Sequence, residues 1–228
     1  MWWKRVLNNS KNRRVKQDLK STVDKSIEIR NSDIQTTLKT WNNLQTSKIH
    51  KYDEFYNVCL YSSVVTRDIS ILWNDYSLTN NNTKKNLYGR LLSMTIIEFL
   101  DDINGLLGKN LRIELKSNNM SEFIKELNEI NKAFSTVKKE NNTVLRLIRN
   151  NSAAHKSKNA KDLIDFTDQV HFENLHKISV EVSETNIKLN ELTTKIIYKI
   201  TERIKLNVEK LKEKRIELEK NAIQHRVL

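Results

Sequence analysis

From Val15 to Leu44 the apolar positions fall at 15, 19, 23, 27, 34, 38, 41 and 44, in steps of three and four with one of seven. That spacing tracks one face of a helix and predicts a long first helix, with a break near Asn31-Ser32-Asp33. Residues 49 to 76 predict a second helix, rich in aromatics (Tyr52, Phe55, Tyr56, Trp73, Tyr76) and apolar on more than one face, which puts it at the centre of a core. The run Ser77-Leu-Thr-Asn-Asn-Asn-Thr83 closes it. A third helix over 84 to 107 follows Leu87, Leu91, Ile96, Phe99, Leu100 and Ile103, with Gly105 and Gly108 as its cap and turn. Asn119 with Glu122 three residues on resembles a capping box. Beyond it Phe123, Leu127, Ile130, Phe134, Val137, Val144 and Ile148 carry a fourth helix to Arg149. The pattern is helical again from Asn159, with an interruption near His171 to Asn174. Ile197, Ile204, Leu211 and Leu218 then recur every seventh residue; Asn207 and Lys214 lie between them, which favours one long helix packed along part of its length over a coiled-coil seam.

Composition supports an all-α chain. Three Gly and no Pro stand among 228 residues, where average usage gives about 16 and about 11, so the turns that sandwiches, barrels and nucleotide-binding Gly loops require are missing. The expected organisation is a basic N-terminal arm over 1–20, a helical domain over 21–200, and a continuation of the last helix with a tail over 201–228. The single cysteine, Cys59, lies in an apolar stretch, which removes disulfide frameworks and cysteine-rich metal sites and points to a reducing compartment. No apolar run approaches the roughly 20 residues of a membrane span, and the first residues lack the apolar centre of a signal peptide. A cytoplasmic protein with no membrane partner is expected.

Charge changes the picture. The formal net charge is +12, and a basic surface attracts polyanions, nucleic acid first. The arm alone holds Lys4, Arg5, Lys11, Arg13, Arg14, Lys16 and Lys20 against Asp18. Trp2 and Trp3 beside it suit stacking on bases, seating at a membrane surface and packing on the domain alike.

One stretch carries chemistry. At the end of the fourth helix the chain reads Arg149-Asn150-Asn151-Ser152-Ala153-Ala154-His155-Lys156. Here it resembles the HEPN superfamily, helical nucleotide-binding domains whose signature is an Arg followed by a polar residue and then, after four to six intervening residues, a His. Arg149, Asn150 and His155 match that signature. The apolar helix over 91–109, with Glu98, Asp101 and Asp102, is similar to the acidic helix that precedes the signature in many such domains. The resemblance covers roughly residues 50 to 200. It implies a HEPN-like bundle of long antiparallel helices and a metal-independent endoribonuclease without cofactor. It further implies a toxin or abortive-infection effector against phage, built as a homodimer with a composite active site and open to control by an antitoxin or a regulatory RNA.

The residues suit that chemistry in their own right. RNA cleaves itself when its 2'-hydroxyl is deprotonated, the neighbouring phosphate is stabilised and the departing 5'-oxygen is protonated. A His titrating near pH 6.5 serves as acid or base at neutral pH. Arg149 is planar and permanently charged, fit for bidentate contact with a phosphate, and Asn150 can orient the phosphate or the ribose hydroxyl. Lys156 and Lys158, with Lys4, Arg5, Lys11, Arg13, Arg14 and Lys16, are candidates to hold the RNA backbone. One His supplies one proton-transfer group, so acid and base together require a second copy of the turn, which a two-fold dimer provides.

Other constellations are poorer. Glu98, Asp101 and Asp102 share a helical face and could hold Mg2+, but without a partner cluster they read better as a solvated or helix-capping face; in a dimer, Asp101 or Asp102 could instead orient His155 or Arg149. Asp168, His171 and His176 do not fall on one tight face, and His50 and His225 have no evident partner. No GxSxG, Walker loop or HExxH is present. The main alternative function is a non-catalytic helical RNA-binding or scaffold protein in which the turn at 149–155 is structural. A membrane-surface protein anchored by Trp2, Trp3 and the arm leaves the rest of the charge without a role.

Overall fold

The computed structural model describes residues 2–150, 161 and 173–227, and only the backbone of 2–16, 173, 217 and 219–227. The described residues form helices α1 (Trp2–Thr46), α2 (Asp53–Leu78), α3 (Asn82–Leu106), α4 (Lys109–Ser117), α5 (Ile124–Ile148) and α6 (Glu173–Val227), with a 3-10 turn at Ser121–Phe123. Among the described residues there is no strand, and the chain is all-α. It divides into two compact units, Met1–Leu189 and Asn190–Leu228.

In the first unit α2 packs against α1, α3 and α4, and α3 packs against α2 and α5. Both carry the core expected of α2: Phe55, Tyr56, Val58 and Cys59 on one, and Leu92, Ile96, Ile97, Phe99, Leu100 and Ile103 on the other, are buried. Phe99 meets Phe134 of α5 edge to face at 5.4 Å and lies nearly parallel to Tyr61 of α2 at 6.1 Å. These aromatic contacts fix the approach of α3 to both neighbours.

The expected break in α1 is absent. The helix runs through Asn31-Ser32-Asp33 and buries Ile34 just beyond. Asn31 does not turn its side chain back on its own backbone, the habit that disfavours Asn within helices; its Oδ1 accepts from Arg67 Nη1 of α2 at 3.0 Å. The backbone of residues 2–20 is likewise continuous with the rest of α1.

The helix expected to open at Asn119 begins at Ile124 instead, and Asn119 ends α4. Its φ of 52° is left-handed, Asn119 N donates to Lys116 O at 3.0 Å and Met120 N to Leu115 O at 2.8 Å. This is the paired-bond termination that Asn tolerates better than most residues. Of the two glycines at the end of α3, a Cβ on Gly105 would meet nothing within 4 Å, whereas one on Gly108 would lie 2.5 Å from the Gly105 carbonyl oxygen. Gly108 alone is required by the close approach of the turn.

The start of α2 is capped from a distance. Glu54 N and Phe55 N donate to Glu114 Oε2 and Oε1 of α4, each at 2.9 Å. Burial, with the nearby charges of Glu54 and Asp53, outweighs these two bonds and pushes the Glu114 carboxyl up to about 7. Glu114→Ala should destabilise the fold by about 1–3 kcal/mol, since two helix-end N–H groups lose their acceptor. Glu114→Gln keeps an acceptor oxygen and should cost less. The folded state binds this proton more tightly than the unfolded chain, so the wild type should lose stability as pH rises from about 4.5 to about 7. The Gln variant should flatten that window. Thermal unfolding at pH 5 and pH 8 checks both statements.

In α6, Leu175, Ile178, Val182 and Leu189 are buried within the first unit. In the second unit burial continues through Leu192, Ile196 and Ile200 and then stops; Ile204, Leu206, Val208, Leu211, Ile216 and Leu218 are exposed. Among the described residues no helix is long and apolar enough to cross a membrane.

Candidate active site at the end of α5

Two stripes of opposite charge face one another across the α3–α5 contact. On α3, Glu98, Asp101 and Asp102 fall at i, i+3 and i+4, one turn of helix on one face. On α5 the steps from Lys138 to Asn142, Arg146 and Arg149 are four, four and three, which keeps all four on one face. The packing of Phe99 on Phe134 brings the two faces together.

Each acid takes a different partner. Asp101 lies deepest among the charges: Lys138 Nζ sits 2.8 Å from its Oδ1 and Arg146 Nη2 donates to both of its oxygens, at 2.8 and 2.9 Å. Burial pushes the Asp101 carboxyl up, but the bonds and charges of Lys138 and Arg146 win and hold it below the usual carboxylate range. Arg146 is steadied from its own helix, its Nε donating to Asn142 Oδ1 at 2.8 Å. Asp102 turns the other way and accepts from Tyr61 Oη of α2 at 2.7 Å. Burial first, then that bond and the three neighbouring carboxylates, raise the Tyr61 phenol, so it stays protonated and a donor at neutral pH.

Glu98 meets the first residue of the Arg-Asn-x4-His signature. Arg149 Nε lies 2.6 Å from Glu98 Oε1, although its N–H is not aimed at that oxygen, so the contact is an ion pair and not a hydrogen bond. The Nε is buried, while the side chains are 31% (Arg149) and 46% (Glu98) exposed. A pair so open to water is worth at most about 1 kcal/mol. It orients the guanidinium without locking it, and the two Nη groups, four N–H donors, have no partner among the described residues. Arg149 and Asn150 leave the end of α5 in a wider, π-type turn, and Asn150 is exposed. Beside the cations, Asn104, Ser135, Lys138, Lys139, Asn142 and Arg146 line an open recess of about 510 Å³, where Ser135 Oγ donates to Asn104 Oδ1 at 2.9 Å.

Of the residues singled out in the sequence, Arg149 and Glu98 are brought into contact, Asp101 stands beside them, and Asp102 is turned toward Tyr61. His155, Lys156 and Lys158 lie outside the described residues, as do the side chains of Lys4, Arg5, Lys11, Arg13, Arg14 and Lys16. Asp168 and His171 lie outside them too; His176 stacks on Trp73 at 4.8 Å, and His50 Nδ1 is 3.0 Å from Asp53 Oδ2. Among the described residues no group of three metal-ligating side chains assembles. Lys138, Asn142, Arg146 and Tyr61 were not evident from sequence. The stripe 138, 142, 146, 149 was the available signal, since it ends on the signature arginine.

No family model matches the chain, and neither a curated protein nor a solved structure matches it.

Proposed function

We propose that the chain is a metal-independent endoribonuclease of HEPN type, cutting RNA by attack of a 2'-hydroxyl on the adjacent phosphate. The observation that carries this reading is Arg149. The signature arginine stands at a helix end and is paired through Nε with Glu98 of the acidic helix, and among the described residues neither of its Nη groups makes a hydrogen bond. A phosphate gaining charge in the transition state is the ligand that a guanidinium fork fits best. Because the Glu98 ion pair is weak, an entering phosphate can share or replace it.

In this reading Asn150, exposed next to Arg149, orients the phosphate or ribose. His155 of one protomer and His155 of its partner divide the roles of base and acid, which makes the active unit a homodimer. Lys138, Lys139 and Arg146 along α5 border the recess and offer phosphate contacts on one side of the cut. A toxin or antiphage effector, held in check by an antitoxin or a regulatory RNA and working in the cytoplasm, is the role that such an activity fits.

The test is chemical. Incubated with RNA in EDTA, the wild-type protein should yield fragments ending in 2',3'-cyclic phosphate, the product of internal hydroxyl attack. Fragments with 5'-phosphates, or cleavage that needs added Mg2+, would point to water as nucleophile and sink the proposal.

The basic start of α1 is assigned to affinity. Deleting residues 2–16 removes six cations, Lys4, Arg5, Lys11, Arg13, Arg14 and Lys16, and spares Leu19 and the rest of α1. RNA binding should weaken, and the log-log salt slope should fall by about 0.7 for each phosphate that the shortened chain leaves unneutralised. The single-turnover rate on bound RNA should stay near that of the full chain, because permanent charge supplies no proton-transfer group. A filter-binding titration across a range of salt concentrations, read with single-turnover kinetics, checks both halves.

A further inference from the structure

An apolar hollow in the first unit lies away from Arg149 and shares no residue with its site. It is a groove of about 490 Å³ between α1, α2 and the first turns of α6. Val23 and Ile27 come from α1, Ile69 and Trp73 from α2, and Val180 and Ile187 from α6. Val180 is 40% and Ile187 56% exposed, so apolar surface faces solvent on one wall of a concave site. The opposite wall is stiff: the Trp73 ring stacks on His176 at 4.8 Å and packs against Tyr76 at 5.4 Å. A hollow of this size with a few polar groups on apolar walls has the dimensions of a small-molecule site.

Two arginines reach the groove, and they differ. Arg67 is spent: its Nε and Nη2 donate to Asp68 Oδ1 at 3.0 and 2.9 Å, and its Nη1 to Asn31 Oδ1 at 3.0 Å. Arg30 is half-buried, and its guanidinium makes no hydrogen bond or close ion pair among the described residues; Asp33, one turn along, acts on it only through space. Burial pulls the Arg30 guanidinium below its ordinary value, the sign of a cation that has lost water without gaining an acceptor. The acid on the walls, Glu184, is exposed on α6.

We propose that this groove binds a small amphiphilic anion, its carboxylate or phosphate head on Arg30 and its apolar tail along Trp73, Ile69 and Val23. Five fixed N–H donors beside apolar walls select against three other occupants. A neutral apolar molecule leaves Arg30 unpaired. A cationic amphiphile is repelled by it. A nucleic-acid backbone, with a charge at every residue, finds Arg30, an Arg67 already bonded to Asp68 and Asn31, and a largely apolar wall. Fatty carboxylates and alkyl phosphates share the chemistry that fits.

The experiment titrates the full chain with decanoate, decyl phosphate, decanol and decyltrimethylammonium below their micelle concentrations, reading tryptophan fluorescence. Trp73→Phe identifies the reporting ring among Trp2, Trp3, Trp41 and Trp73. Decanoate or decyl phosphate should saturate the Trp73 signal and bind at least about tenfold more tightly than decanol, as a charge-assisted contact requires, the tighter of the two naming the head group. Decyltrimethylammonium should bind no more tightly than decanol. Arg30→Gln should bring the anions down to the affinity of decanol and leave decanol itself unmoved, which separates a lost charge from a misfolded groove; Arg30→Lys should restore part of the preference. Equal affinity of decanol and the anions overturns the proposal. So does an Arg30→Gln variant that binds decanoate as the wild type does, and so does a saturable signal that persists in Trp73→Phe or is absent from the wild type.

Discussion

His155→Ala should lower the single-turnover rate of RNA cleavage in EDTA by about 10²- to 10⁴-fold, the range a positioned general acid or base contributes. RNA affinity should stay within a few-fold of the wild type, because the permanently charged Lys and Arg side chains, and not His155, carry most of the phosphate contacts. Arg149→Ala should lower the rate as far and weaken binding as well, since it removes a permanent charge along with the transition-state contact. Arg149→Lys should recover affinity better than rate: an ammonium keeps the charge but lacks the planar fork. Glu98→Gln distinguishes orientation from charge balance. Glu98 now pairs with Arg149; removing its charge should tighten RNA binding in the ground state, and a slower step after binding would show that the carboxylate also aims the guanidinium. With two imidazoles in one site, one neutral and one charged, the rate should follow a bell in pH whose limbs belong to the pair and not to either His. If wild type and His155→Ala bind RNA alike and neither cuts it, the protein is an RNA-binding module and the turn at 149–155 is structural.

What the sequence revealed of this architecture depended on how local the cause was. The helices could be read from apolar spacing because each buries one stripe: the third and fourth were placed by Ile96, Phe99, Leu100, Phe134 and Ile148, which are all buried. Their ends were harder. Asn119 looked like the opening of a helix and instead closes one, since the left-handed bend that Asn permits leaves no trace in hydrophobic period. The cap of α2 by Glu114 joins residues 60 positions apart, and a side chain brought in by tertiary packing has no local signature. Asn31 misled for the same reason, its amide being engaged by Arg67 on another helix.

The site was legible in the same uneven way. Arg149 stood out because a short pattern surrounds it, and Glu98 because three acids share one turn. That Glu98 and not Asp101 meets Arg149 depends on the vertical offset between α3 and α5. That offset follows from the seating of Phe99 against Phe134, an arrangement of two side chains that no spacing rule contains. The basic stripe on α5 was visible residue by residue, yet its meaning depends on Asp101, which gathers Lys138 and Arg146 into one cluster.

Mixing wild-type protein with a tenfold excess of His155→Ala under conditions of subunit exchange should lower cleavage by about tenfold at constant wild-type concentration. The argument is one of symmetry. If each cut needs an acid from one protomer and a base from the other, a mixed dimer holds a single His155 and lacks one of the two. Random assortment then leaves only about one wild-type chain in eleven with a wild-type partner, and the active dimers fall in that proportion. A protein whose protomers each carry a whole active site would keep its full rate under the same mixing. RNA in large excess over total protein prevents inactive dimers from competing for substrate. Co-purification of a tagged variant with untagged wild type establishes that exchange took place. Verified mixed dimers with undiminished activity, or a monomer at assay concentration that still cuts RNA, would place both proton transfers within one chain and require a second group besides His155; the phenol of Tyr61, held protonated beside Asp102, could then act only as a donor.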